Sequence, residues 1–415
     1  MKRILIALTI MLLALSGAVH AKQTLFVMIP HTEGEKEYNW FNQGLEQFAK
    51  QHPDVEIRFE HMVGSALPQR LAAYLIAGDV PDVVMMMQRD LGGMITADHV
   101  LDLNQYLSND PDVRTRDYVA SFMEYWSRDG KQIGMPLNPD TGFIYYNVDM
   151  FESAGLPLLN ESFPNGKWTW DDFRSVAQRL VRDTNGDGIP EVYGYEASRG
   201  WEPAWGSWVY SNGGYVYDRA TKQSGMDEPE AYEALQWLFD LKNDRIMGPN
   251  SPTAQGFANR AMASLATGWS QYSKDSGMRI SSFPHPGASA TKPAVHVILG
   301  PGLLIFKESK NPDLAWELIK HMVSHESLVS LAELTGRLPS RLSTFATWQK
   351  QYEEKMGGSD YVLMAVQSGK GMPYNDRWTD MNNLIKAGMN TLWTGTQTAK
   401  AIFESVARQM EALVK

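Results

Sequence analysis

Val80-Pro81-Asp82-Val83-Val84-Met85-Met86-Met87 is the stretch on which the reading of the fold turns. After the Pro81-Asp82 step it is continuously apolar, it is too short for a typical helix, and it ends on the polar group Gln88-Arg89-Asp90, so it reads as a strand. Upstream, Leu67 to Ala77 has the pattern of a helix, stopped by Gly78. Before that, Val55 to Phe59 alternates apolar and polar as a strand does. Trp40, Phe41, Leu45 and Phe48 share one side of an earlier helix, and Thr24 to Ile29 opens the series as a strand. Strand, helix, strand, helix, strand at this spacing predicts a parallel sheet with crossover helices. In such sheets ligands bind beyond the carboxyl ends of the strands. The loops to watch are therefore His31–Asn39 and Gln88–Gly93.

The middle of the chain repeats the style. Phe143 to Asn147 reads as a strand. Thr169 is an N-cap, with Asp172 as its capping-box partner, for a helix carrying Phe173, Val176, Ala177, Leu180 and Val181. Pro229 starts another helix, and Asn311-Pro312-Asp313 caps a third. There is no internal repeat and no low-complexity tract. The fold class expected is α/β.

The first residues read as an export signal. Lys2 and Arg3 precede an apolar run, Ile4 to Leu15, and Val19 and Ala21 place short side chains at the two positions a signal peptidase reads. The run is short of the roughly 20 residues that span a bilayer. Cleavage after Ala21 leaves 394 of the 415 residues and takes the net charge from −10 to −12 by removing Lys2 and Arg3. A chain so acidic is not expected to bind nucleic acid, whose phosphates need basic surface. The sequence has no cysteine, which excludes disulfides and a lipidated N-terminal cysteine. A soluble periplasmic protein, monomeric and free of the membrane after cleavage, is expected.

Six ordered segments carry a resemblance. They are Gly78 to Val84; Pro136-Leu137-Asn138-Pro139-Asp140-Thr141-Gly142 running into Phe143–Asn147; Trp168 to Phe173; Asn212-Gly213-Gly214; Ala261-Met262 leading to Gly268-Trp269; and Gly300-Pro301-Gly302-Leu303 with the later Thr335 to Arg341. In this order they resemble the extracellular solute-binding proteins of ABC importers, in the branch that includes maltose-binding protein. The resemblance implies a periplasmic-binding-protein fold: two α/β lobes, a central cleft and crossover strands between the lobes. By analogy lobe 1 takes residues 22–138 plus 293–333, and lobe 2 takes 139–292 plus 334–415. The chain would cross near Leu137–Asp140, return near Lys292–Val295 and cross again near Leu334–Leu338. It implies capture of a carbohydrate, expected to be an oligosaccharide, and delivery to the permease subunits. No catalysis is implied.

A sugar offers apolar faces to aromatic rings and hydroxyls to charged and amide groups. Asp140, after Pro139 at the first crossing, is where the resemblance implies a sugar-binding carboxylate; an Asx-turn is the alternative. Trp269 follows Gly268 where the family offers a stacking ring, unless it is core. Arg89 and Asp90 follow the decisive strand, but the family relative has the acid and the arginine in the opposite order. Glu35 and Lys36 resemble a polar pair of the same relative. Trp40 is a further candidate that can equally begin the buried face of its helix. Among the clustered Trp201, Trp205 and Trp208, Trp205 is the one chosen for the cleft. Trp378 sits near where a C-terminal helix contributes an aromatic. Trp168, Trp170, Arg337 and Arg341 are assigned structural roles.

Asp183, Asn185, Asp187 and Glu191 lie in a run resembling the start of a calcium loop, with oxygen ligands at alternate positions and a central Gly. The usual acid at the twelfth position is absent, and an Asn-Gly and Asp-Gly turn needs no metal. No other cofactor is expected. The competing readings are a binder of an acidic sugar or glycerophosphate, using Arg89 and Lys36; a periplasmic carbohydrate-active enzyme with paired carboxylates; and a chemoreceptor partner of the same fold. Nucleophile elbow, zinc motif and phosphate loop are all absent from the sequence.

Overall fold

The computed structural model describes residues 22–96, 98–110, 113–197, 202–248, 260–265 and 277–415. The decisive stretch is the strand Val83–Met87, and it lies at the centre of the first sheet. Gln23–Ile29 pairs with it in parallel and pairs on its other edge with Val55–His61, also in parallel. Pro301–Ile305 runs antiparallel beside Val83–Met87, and Met135–Pro136 completes the five strands.

Both faces of this sheet are covered, which is why Val83–Met86 is apolar without alternation. Leu25, Val27 and Ile29 pack with Trp40, Phe41, Leu45 and Phe48 of helix Lys36–Gln51 and with Leu318, Ile319 and Met322 of helix Pro312–Met322. The intervening Phe26 and Met28 face Leu67 and Leu71 of helix Leu67–Ala77. Gly78 closes that helix in the left-handed conformation, at φ +70°.

Asp82 explains the polar residue ahead of the strand. It is 3 % exposed, and its carboxylate accepts from the Phe26 N–H at 2.8 Å and from the Ser309 hydroxyl at 2.6 Å. The side chain of Asn311 does not cap its helix. Its amide donates to the Thr24 carbonyl at 2.8 Å, because the helix start is tied to the first strand instead.

A second sheet runs in the order Ile280–Phe283, Phe143–Asn147, Arg260–Leu265, Tyr193–Ala197. Beneath it, Thr169 and Asp172 form the expected capping box at the head of helix Trp170–Arg179. Trp168 and Trp170 are core residues there, the former bonded to the Pro284 carbonyl at 2.9 Å. Helix Pro229–Asn243 starts on its proline.

Between the two sheets lies a third, of short strands: Gly369–Gly371, His296–Leu299 and Asp140–Thr141. The chain leaves the first sheet at Pro136 and enters the linking sheet at Asp140. It returns through His296–Leu299 and Gly300 into Pro301–Ile305. The linking strand begins directly after Lys292–Val295, and the Val295 N–H donates to the hydroxyl of Ser211, at the end of helix Glu202–Ser211, at 2.9 Å. At Gly300 φ is +152°, and an added Cβ would collide with the Asn138 carbonyl and lie 2.6 Å from Phe122 Cζ. Only glycine fits that crossing. Two α/β lobes joined by linking strands are the result.

Candidate functional site

Three loops after parallel strands meet at one end of the first sheet: Pro30-His31, Gly64 to Pro68, and Met87 to Asp90. They face Asn138, Asp140, Leu299, Gly300 and Pro301 of the crossings, together with Glu37 and Arg337. The enclosed cleft measures about 520 Å³, within the usual range for a small-molecule site. It opens at the carboxyl ends of the strands, where an α/β sheet leaves backbone donors and helix N-termini unburied.

Arg89 and Asp90 lie in the first turn of helix Gln88–Thr96 and line the cleft. Arg89 Nε is 3.7 Å from Asp90 Oδ1. Burial pushes the Asp90 carboxyl above its ordinary value; Arg89 opposes this and the negative charge of Glu202 adds to it. Burial works against the Arg89 charge, yet Asp90 and Glu202 together hold its guanidinium above its ordinary value.

Asp140 is 9 % exposed and lines the cleft from the linking sheet. Arg337 reaches it at 3.9 Å and donates to Glu37 at 3.0 Å, so one guanidinium spans a helix of the first lobe and the crossing. Arg337 thus has the structural role expected of it at the crossing and lines the cleft as well. Arg341 is structural, bonded to Asp117 at 3.0 Å and to the Val323 carbonyl at 3.1 Å.

Glu35 and Lys36 are displaced from the cleft by their place at the helix start. Glu35 is the N-cap of Lys36–Gln51, and its carboxylate turns back onto Thr32 and His31. The hydrogen bond from the Thr32 hydroxyl, followed by that from His31, lowers its pKa to about 2. Lys36 is exposed. The polar pair presented to the cleft by this segment is His31 and Glu37. Trp40 is core, 2 % exposed, with its indole N–H on the Ser327 carbonyl at 2.9 Å.

Trp205 and Trp378 are also buried, at 1 % and 2 % exposure. Trp378 opens helix Trp378–Thr394 and packs edge-on to Tyr374, with ring centroids 4.9 Å apart. The indole N–H groups of both have no partner among the described residues. Trp269 and Trp201 lie outside the described residues.

The most informative residue missed by the sequence reading is Glu202. It begins helix Glu202–Ser211, is 3 % exposed, and accepts from the Asn382 amide at 2.8 Å. Its negative charge acts on Arg89 and Asp90. Its signal was available: an acid in the first turn of a helix that follows a strand.

In the loop after helix Trp170–Arg179, ligand atoms of Asp183, Asp187 and Glu191 lie within 4.8 Å of one another. The loop satisfies itself. Asp183 accepts from the N–H groups of Gly186 and Gly188 at 2.6 and 2.8 Å. Glu191 accepts from Thr184 N–H at 2.7 Å and from the Asn185 amide at 2.6 Å.

A family model described as bacterial extracellular solute-binding protein matches residues 32–328. The chain belongs to this family. Among its relatives, the arabinooligosaccharide-binding protein of Bacillus subtilis is 25% identical, over 79% of this chain and 75% of that one. An sn-glycerol-3-phosphate-binding periplasmic protein of Pectobacterium atrosepticum is 21% identical, over 90% and 88%. The sugar-binding protein MalE of Xanthomonas citri superposes with a TM-score of 0.81 at 16% identity, covering 94% and 97% of the two chains. This solute-binding protein therefore has the MalE-type fold. No described helix is long and apolar enough to cross a membrane.

Proposed function

We propose that this solute-binding protein captures a carbohydrate, an oligosaccharide by preference, in the cleft between its lobes and delivers it to the permease of an ABC importer. The observation that carries the reading is the cleft itself. It lies at the crossings between two lobes, and charged side chains from several elements converge on it. Asp140, Asp90, Arg89 and Arg337 offer the charge-assisted hydrogen bonds that sugar hydroxyls reward. The name of the arabinooligosaccharide-binding relative supports the same solute class. Export through an N-terminal signal, cleavage after Ala21 and a free, non-lipidated monomer in the periplasm belong to the proposal. So does the absence of catalysis, since the family and the relatives above are binding proteins.

An acidic solute is the second reading, prompted by the glycerophosphate-binding relative. It is disfavoured because both cleft arginines already face carboxylates. Thermal-shift screening of neutral oligosaccharides, uronates and sn-glycerol 3-phosphate tests the proposal. Stabilisation by neutral saccharides without turnover supports it. Stabilisation by acidic solutes alone, abolished in Arg89→Ala, overturns it.

A further inference from the structure

The apolar part of the cleft wall sharpens the carbohydrate reading, on which this inference rests. Three neighbouring strands reach the cleft side by side, in the order Gln23–Ile29, Val83–Met87, Pro301–Ile305. Each brings an aliphatic residue to it: Pro30 just past the first, Met87 at the end of the second and Pro301 at the start of the third. Met87 and Pro301 are register partners, and the pairing of Met28 with Val84, carried forward, sets Pro30 level with Met86. Pro30, Met87 and Pro301 are all half-buried, so each keeps surface for a solute. Leu299, on the crossing, extends the strip. No Phe, Tyr or Trp among the described residues lines the cleft.

These side chains offer a hydroxyl no strong partner. Proline has no N–H, so Pro30 and Pro301 take two backbone donors away from the strand ends. The Pro301 carbonyl already accepts from the Leu137 N–H at 3.1 Å. The thioether of Met87 is a weak acceptor. A hydroxyl pressed against the strip loses water and gains nothing in return, whereas a methyl group there gains by burial. The charged groups flank the strip: Arg89 and Asp90 on the helix that follows Met87, Asp140 and Arg337 on the crossings. They are placed to take the remaining hydroxyls of the same solute. On a hexose, C6 is the exocyclic carbon, and loss of its hydroxyl leaves a methyl group.

We infer that the cleft selects an oligosaccharide containing a 6-deoxyhexose, with its methyl group against Pro30, Met87 and Pro301 and its ring hydroxyls on the flanking charged groups.

Calorimetric titration with matched sugars tests the inference: 6′-deoxymaltose against maltose, L-rhamnose against L-mannose and L-fucose against L-galactose, with sn-glycerol 3-phosphate alongside. The members of each pair differ only in the C6 hydroxyl. In at least one pair the deoxy member should bind about tenfold tighter or better. Met87→Gln, whose amide can serve the extra hydroxyl, should erase that preference, and Met87→Leu, which keeps the strip aliphatic, should retain it. Thermal melts of the free variants check that they fold. Equal affinity within every pair that binds, or a preference that persists in folded Met87→Gln, overturns the inference and leaves carbohydrate capture standing. Absence of binding by every saccharide, with or without heat from sn-glycerol 3-phosphate, overturns both.

Discussion

At the scale of single residues, the cleft makes sharp demands. Asp140 is nearly buried and sits where the chain crosses, so its carboxylate is held in one place. Asp140→Ala should weaken solute binding by about 2 kcal/mol, the worth of a hydrogen bond to a charged group, and calorimetry with the solute found by screening measures it. Gly300→Ala is a different failure, because backbone and Phe122 already occupy the space of a Cβ and φ is +152°. A loss of about 2 kcal/mol or more is expected in denaturant unfolding. The aromatic candidates show what sequence could not decide. Trp40, Trp205 and Trp378 are all chemically suited to a sugar face, but an indole is also the largest filler of a core, and all three are 2 % exposed or less. Periodicity places a side chain on one face of a helix; it does not say whether that face meets solute or sheet. Arg89, Asp90 and Asp140 were legible because strand ends and crossings locate them by topology. Glu37 and Arg337 were not, since their partnership joins residues 300 positions apart.

Among elements, the linking strand His296–Leu299 carries an unused titratable group. His296 and His285 are buried, and the His285 N–H donates to His296 Nε2 at 3.1 Å, which fixes that nitrogen as an acceptor. Burial lowers the pKa of His296 to about 4, and burial followed by the charge of His296 lowers that of His285. The unfolded chain binds these protons first, so the stabilisation is complete above about pH 6.5 and is lost as pH falls towards 4. The loss attributable to His296 is on the order of 3 kcal/mol. Unfolding midpoints of the protein and of His296→Gln, followed from neutral to acid pH, should converge. The loop Asp183–Glu191 makes the opposite kind of prediction. Its carboxylates are already met by N–H and amide donors, so melting temperatures in chelator and in added calcium should coincide. Element types were read well from sequence, because capping boxes, helix-starting prolines and buried runs are local signals.

For the whole molecule, two sheets flank a cleft and meet through three short strands. So thin a connection allows one lobe to turn against the other, and a solute touching both should favour the closed arrangement. Small-angle scattering should record a smaller radius of gyration with solute than without. Solute at a hundred times its Kd should add about 2.7 kcal/mol to stability. The ordered segments made this architecture readable, since several of them mark strand ends, helix starts or crossings. What solute the cleft takes is written in distances between lobes, and a sequence holds no distances.

The strand Pro301–Ile305 sets a timetable. It is wedged between Val83–Met87 and Met135–Pro136, strands made long before it. Until it is synthesised, the central strand has a bare edge and Asp82 lacks the Ser309 hydroxyl. The lobe that starts the chain is therefore finished only after most of the other lobe has been made, and pairings this remote form slowly. A nascent chain stopped short of residue 300 has no means of locking its first sheet, and it should remain open to proteases that leave the complete protein untouched.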